Sequence, residues 1–197
     1  MTAINLLDAI EGVLRSQVLE TGPIRLMEPQ CPEFEQVEIT RKGRAVIVRP
    51  DAVSLKECPR QDCPISYATQ DRLFPLFRIQ ETDLTRSCDR IIFYQPRLDS
   101  PLYVFLIELK QGGKGGRRQL QNSRVLADYI LSVTRLHHHG RLVSFPDICY
   151  RAIVFTPKAK TPGRRCPYVA GDGPFPDIKY VHLQNSKYTI DYFCDAP

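Results

Sequence analysis

Two carboxylates and a lysine stand at the ends of two apolar runs. Asp89 opens the first, just ahead of Ile91, Ile92 and Phe93, and Glu108-Leu109-Lys110 closes the second. A turn over residues 111–116 follows, with four glycines and Lys114, and then Arg117, Arg118 and Gln119. Carboxylates beside concentrated positive charge suit the metal-assisted cleavage of a phosphodiester. That reaction needs a nucleophilic hydroxide and relief of charge on the phosphate. A hard divalent cation, Mg²⁺ or Mn²⁺, supplies both and binds through a few carboxylates plus waters. Asp89 and Glu108 are the candidate ligands, with the Leu109 backbone carbonyl as a third. Lys110 has the reach to orient the attacking water and to stabilise developing negative charge. Gln119 is the candidate for positioning water or phosphate.

The elements that would position these groups follow from periodicity. Residues 88–94 read as a strand, and residues 102–109, apolar on both faces, as a central strand covered on both sides. A short turn at Leu98-Asp99-Ser100-Pro101 joins them, so they should pair antiparallel. That pairing brings the start of one strand to the end of the other, and Asp89 to the same sheet end as Glu108. Residues i and i+2 of a strand share a face, which adds Lys110 to Glu108. A helix is expected over about 117–138, with Gly140 as its C-cap and an apolar stripe of Leu126, Tyr129, Ile130, Val133 and Leu136. Gln119 lies seven residues before Leu126 and shares its face, whereas Gln121 is rotated from Gln119 by about 200°.

The flanking chain supplies a first helix over about 4–19, with Ile4, Leu7, Ile10, Leu14 and Val18 at helical spacing and Glu11 beside that stripe. Residues 37–40 and 44–48 flank Arg41-Lys42-Gly43 and read as a hairpin. Residues 73–79 read as a further strand, which Pro75 makes an edge or a strand entry. Residues 150–156 form a buried strand, 161–176 a Pro- and Gly-rich loop, and 178–183 with 188–193 a closing hairpin. No repeat or linker divides the 197 residues. The expectation is one domain over 1–197, with a core at about 4–156 and a C-terminal extension at about 157–197.

This order of elements, with Asp at the start of one central strand and Glu-x-Lys at the end of the next, resembles the PD-(D/E)XK nuclease superfamily. The resemblance implies an α/β (α+β) fold of the restriction-endonuclease-like type. That is an αβββαβ core with a mixed central sheet flanked by helices, here with an extra C-terminal β-hairpin. The motif residues are Asp89, Glu108 and Lys110. Gln119-Leu120 matches a Gln that members often carry early in the following helix, and Glu11 matches a Glu many carry in the first helix as a further metal ligand. Cys88 departs from the pattern, standing where members have Pro. The implied activity is Mg²⁺-dependent hydrolysis of nucleic acid, with DNA favoured. The implied assembly is a homodimer or a subunit beside a partner, since recognition needs more surface than cleavage. The alternative is a catalytically silent module of the same fold that binds nucleic acid or a partner protein.

The bulk composition agrees with a soluble globular chain: 43% hydrophobic and 25% charged residues. No apolar run approaches the ~20 residues of a membrane span. The N-terminal residues carry acids and no basic lead, unlike a secretory leader, so the cytoplasm is the expected compartment. The formal net charge is +5. Positive charge gathers between Leu109 and Ala127, where Lys114, Arg117, Arg118 and Arg124 are the candidate nucleic-acid contacts and no acid intervenes. The competing reading is a solvated helix end.

Seven cysteines without an export signal read as reduced thiols or metal ligands. Cys58 and Cys63 have spacing for two zinc ligands, but a structural zinc site needs four, and loop thiols are the simpler reading. The 112–116 segment lacks the hydroxyl residue after its lysine that a P-loop requires. His137-His138-His139 fits the C-terminal end of a helix dipole better than a metal site.

Overall fold

The computed structural model describes residues 3–26, 37–50, 87–110, 116–156, 168–169, 177–182 and 187–194. The expected strand at 73–79 and the cysteines Cys58 and Cys63 lie outside these, as does Lys114. The described elements are α1 (Leu6–Val13), β1 (Leu19–Glu20), β2 (Ile24–Leu26), β3 (Val37–Thr40), β4 (Arg44–Val48), β5 (Arg90–Gln95), β6 (Leu102–Leu109), α2 (Arg117–His137), β7 (Ile148–Thr156), β8 (Tyr168–Val169), β9 (Ile178–His182) and β10 (Lys187–Thr189). The fold is mixed α/β, with a seven-stranded sheet in the order β1-β4-β5-β6-β7-β9-β8 and a three-stranded sheet in the order β10-β3-β2. The large sheet is itself mixed. The neighbours β1, β4, β5 and β6 are antiparallel, while β6, β7 and β9 run parallel. No described helix is long and apolar enough to cross a membrane.

Side-chain alternation divides the interior into two cores. From β6, Leu102, Val104 and Leu106 pack with Leu7 and Ile10 of α1 and Leu126 and Ile130 of α2. Phe105, Ile107 and Leu109 face the other way, onto Ile24, Leu26, Val37 and Ile39 of the small sheet. The large sheet is thus covered on both faces, as its unbroken apolar strands require.

The first helix is shorter than its apolar spacing implies. Asn5 caps it, its side-chain oxygen accepting from the Leu7 N–H at 2.8 Å. The chain turns extended at Leu14, passes through a 3₁₀ turn at Ser16–Val18 and enters β1, where Leu19 and Glu20 pair with Val48 and Ile47. Edge pairing with β4 takes over from helix extension. Leu14 and Val18 still pack on the helix-side core, so the same spacing is satisfied without helix.

Neither expected hairpin forms. β3 pairs with β2 and β10, while β4 pairs with β1 and β5, so Arg41-Lys42-Gly43 carries the chain from one sheet to the other. Gly43 permits the crossing. A Cβ there would stand 2.7 Å from the Gln95 carbonyl oxygen and 2.9 Å from Pro96 Cα. The C-terminal hairpin is likewise replaced. β9 runs parallel to β7, β10 runs parallel to β3, and Ile190–Phe193 is a 3₁₀ turn. Ile190 and Phe193, three apart, both bury on that turn, and the Tyr94 hydroxyl donates to Asp191 Oδ1 at 2.6 Å.

α2 buries Leu120, Ser123, Leu126, Ala127, Ile130, Leu131 and Thr134. Tyr129 and Leu136, expected in its stripe, are 63% and 74% exposed. The small residues Ser123, Ala127 and Thr134 let the helix close on the sheet. The inward face is therefore set by size as well as by apolarity.

Candidate metal centre and active site

The register of β5 and β6 builds the site. Arg90 pairs with Ile107, so Asp89 and Glu108 are the next residues along each strand. Ile91 and Phe93 of β5 and Leu102, Val104 and Leu106 of β6 place the alternating face on which both carboxylates fall, toward α2. Asp89 is locked against β6, its Oδ2 accepting from the Leu109 N–H at 2.6 Å. Through this N–H, Leu109 fixes the Asp89 carboxylate beside Glu108. Lys110 keeps to the sheet through its N–H, which donates to the Phe155 carbonyl at 2.8 Å, and its Nζ stands 2.6 Å from Glu108 Oε1.

Glu108 is 2% exposed. Its second oxygen, Oε2, is buried without a hydrogen-bond partner. Burial, and then the Asp89 charge, push its pKa up to about 7, against the pull of Lys110 and the nearby Asp89 backbone N–H. The start of α2 closes the site from above. Gly116 has φ +86°, and a Cβ on it would come 3.3 Å from Lys110 Cε and 3.4 Å from Glu108 Cγ. A side chain at 116 would strain the backbone and crowd both residues.

Gln119 is half-buried on the inner side of α2, and its Nε2 lies 3.5 Å from the Ser87 carbonyl, two residues before Asp89. One turn on, buried Ser123 accepts the Cys88 N–H at 2.7 Å. Cys88 thus uses a backbone donor that a proline at this position would lack. Arg117 and Arg118 are exposed on the first turn of α2.

Two candidates lie elsewhere. Glu11 is exposed on α1, and its charge acts on Arg44. Arg44 pairs with Gln95, at the opposite end of β5 from Arg90. Five residue steps at ~3.3 Å put that end of β5 roughly 17 Å from Arg90, and among the described residues Glu11 does not gather with Asp89 and Glu108 into one ion-holding group. Arg124 lies over the Tyr150 ring at 4.4 Å and 3.8 Å from Asp128 Oδ2, and the Tyr150 hydroxyl donates to the same carboxylate. It braces α2 on β7. Of the histidines, His137 and His139 are exposed, and the His138 N–H closes the helix on the Thr134 carbonyl at 3.0 Å.

The structure adds Glu20 and Arg90, which the sequence reading passed over. Arg90 Nε donates to Glu20 Oε2 at 2.6 Å, and its Nη1 donates to the Asp89 carbonyl at 2.7 Å. A charge at the head of an apolar strand needs a partner, and that need was the available signal. Ser123 was open to a helical count, four residues after Gln119 on the same face.

Among the described residues, no three His, Cys, Asp or Glu side chains gather where one ion could be held. The donor set is two carboxylates. Hard oxygen ligands few in number fit Mg²⁺, which keeps several of its waters, and the partnerless Oε2 of Glu108 fits a cation as its missing neighbour. No family model matches the chain, and no curated protein or solved structure matches it.

Proposed function

We propose that the chain is a divalent-cation-dependent nuclease that hydrolyses phosphodiester bonds, with DNA the favoured polymer. The observation that carries this reading is the buried, partnerless Glu108 Oε2 on the sheet face it shares with Asp89 and Lys110. A desolvated carboxylate oxygen without a donor is costly to fold around and calls for a cation or proton. The order α1, antiparallel β4-β5-β6, α2 and parallel β7 supports the same reading, since it is the order that the nuclease resemblance implies.

Asp89 and Glu108 would hold the cation. When bound, it would generate hydroxide from water and offset phosphate charge. Lys110 now sits on Glu108. Freed from that contact, its ammonium has the reach to orient the attacking water and to stabilise the negative charge that develops on the phosphate. Gln119 and Ser123 hold the segment before Asp89 in place. Arg117 and Arg118, exposed on the first turn of α2 beside its backbone N–H groups, would meet a phosphate there.

Linear, circular and single-stranded DNA and RNA, each with Mg²⁺, Mn²⁺ or EDTA, test the reading. Cleavage is expected with either metal, lost in EDTA and lost in folded Asp89→Ala and Lys110→Ala. Metal-dependent cleavage by folded Asp89→Ala would sink it. Binding that falls steeply with salt, with no cleavage under any metal, would favour a silent nucleic-acid-binding module instead.

A further inference from the structure

Asp89 lies in a bend one residue before β5, so the regular strand ladder does not by itself hold it. The segment is tied from several sides. Gln119 Nε2 reaches the Ser87 carbonyl at 3.5 Å, and Ser123 accepts the Cys88 N–H at 2.7 Å. The Leu109 N–H donates to Asp89 Oδ2 at 2.6 Å. A further tie is Arg90. Its Nη1 donates to the Asp89 carbonyl at 2.7 Å, and its Nε donates to Glu20 Oε2 at 2.6 Å. Both side chains of that pair are largely buried, Arg90 at 11% and Glu20 at 17% exposed.

The geometry points to Glu20 and Arg90 as a positioning pair for the metal centre: β1, through Glu20, braces the Arg90 guanidinium that fixes the Asp89 backbone. The inference rests on the metal-centre reading of Asp89 and Glu108. Burial alone does not account for the arrangement. A pair serving only to neutralise charge needs one contact, whereas Arg90 spends a second donor on the residue that carries the carboxylate. The guanidinium suits this because its planar fork presents separate donors in fixed directions. It also assigns a purpose to β1, two residues long, whose pairing with β4 delivers Glu20 to the partner of β4, β5. Groups that orient metal ligands without touching the metal commonly change affinity by about 10–100-fold when removed.

The test measures Mn²⁺ affinity by electron paramagnetic resonance in the full chain. Alongside it, hydrogen exchange of the Leu109 amide, whose N–H is bonded to Asp89, is followed by NMR. Asp89→Asn is the reference and should lose metal affinity at least as severely as any other variant. Arg90→Lys keeps a positive charge for Glu20 but has one compact ammonium in place of the fork. It is expected to fold, to lose about tenfold in Mn²⁺ affinity and to speed Leu109 exchange several-fold. Glu20→Ala should do the same, and Glu20→Gln, which retains an oxygen to accept from Arg90 Nε, should recover most of the affinity. If Asp89→Asn loses affinity while Arg90→Lys and Glu20→Ala bind Mn²⁺ as the parent does, the pair is purely structural and the inference falls alone. If Asp89→Asn also binds as the parent does, the metal-centre reading falls and takes the inference with it.

Discussion

The two ends of the central sheet each carry a carboxylate beside a cation, and the two pairs behave oppositely. At one end Arg44 of β4 meets Asp8 of α1, with side chains 56% and 44% exposed. At the other, Lys110 meets Glu108, with side chains 26% and 3% exposed. The Arg44 hydrogen bond holds the Asp8 carboxyl below its usual range. The Lys110 contact is as close a pairing, yet burial and the Asp89 charge drive Glu108 the other way, up to about 7. Water decides the difference. In solvent a carboxylate is already satisfied and a cation adds little. In the core the same carboxylate has lost its water, and one ammonium cannot satisfy both oxygens. The solvated end opens onto a cavity of about 340 Å³ lined in part by Lys42, Arg44 and Arg97, but holds no buried, partnerless carboxylate among the described residues. Unsatisfied chemistry, and not volume, separates the candidate centre from a surface cleft.

The largest expected effect falls on the buried end. Asp89→Asn and Glu108→Gln keep side-chain volume and remove charge. Each should cost roughly a thousandfold or more in cleavage rate, the several kcal/mol that charge stabilisation by a metal supplies. Single-turnover cleavage with saturating Mg²⁺ measures it. Retention of a tenth or more of the rate by folded Glu108→Gln would erase the contrast between the two ends.

Next in size is the stability cost of Lys110→Met. Losing the cation lifts the Glu108 pKa further, so only well above pH 7 does the variant strand an ionised Glu108 in the core, which costs about 3–5 kcal/mol. Toward pH 5 the cost should shrink, because a protonated Glu108 no longer needs the cation. The sign follows from the raised pKa. The folded state holds a proton that the unfolded chain has already released, so the stability owed to Glu108 is present at low pH and lost as pH rises from 4.5 to about 7. Urea titrations of the parent and of Glu108→Gln across that window isolate the contribution as a difference. A flat difference would show that Glu108 titrates as an ordinary surface acid does.

Metal affinity should show the same pKa with the opposite sign. Binding requires both carboxylates ionised, so Mn²⁺ affinity should fall about tenfold for each pH unit below about 7. A site of ordinary carboxylates would hold its affinity down toward pH 4.5. A calorimetric series from pH 5.5 to 8 distinguishes the two.

How far the sequence reached depended on the range of the interaction. The antiparallel register and the period of two were local patterns, and they brought Asp89, Glu108 and Lys110 to one end and one face, as the structure has them. β6 was legible to the residue, because an apolar run with charge beyond it leaves no other boundary. The hairpins failed because a turn sequence such as Arg41-Lys42-Gly43 specifies a reversal and says nothing about which sheet receives the next strand. Contacts far apart in the chain decided that, notably the approach of Gly43 to Gln95. Glu20 was missed for the same reason. Helical spacing suggested a helix through residue 19, and only the pairing of β1 with β4 turned Glu20 toward Arg90.

The smallest effects are expected at the solvated end, and they test whether burial is what matters. Asp8→Asn or Arg44→Met should change stability by no more than about 1 kcal/mol, because both partners regain water when the pair is broken. What remains should fade at about 0.5 M salt, where exposed charges are screened within a few ångströms. The Lys110→Met penalty should persist there, since salt does not reach a buried carboxylate as it does a surface one. Glu11→Gln should leave both stability and cleavage at parent values, its charge acting on Arg44 and not on the centre. Urea titrations at low and high salt, with cleavage assayed in parallel, resolve these differences. A cleavage defect in Glu11→Gln would mean that the first helix reaches the centre after all. An Arg44→Met penalty as large and as salt-resistant as that of Lys110→Met would mean that pairing, and not burial, sets the energetics of both ends.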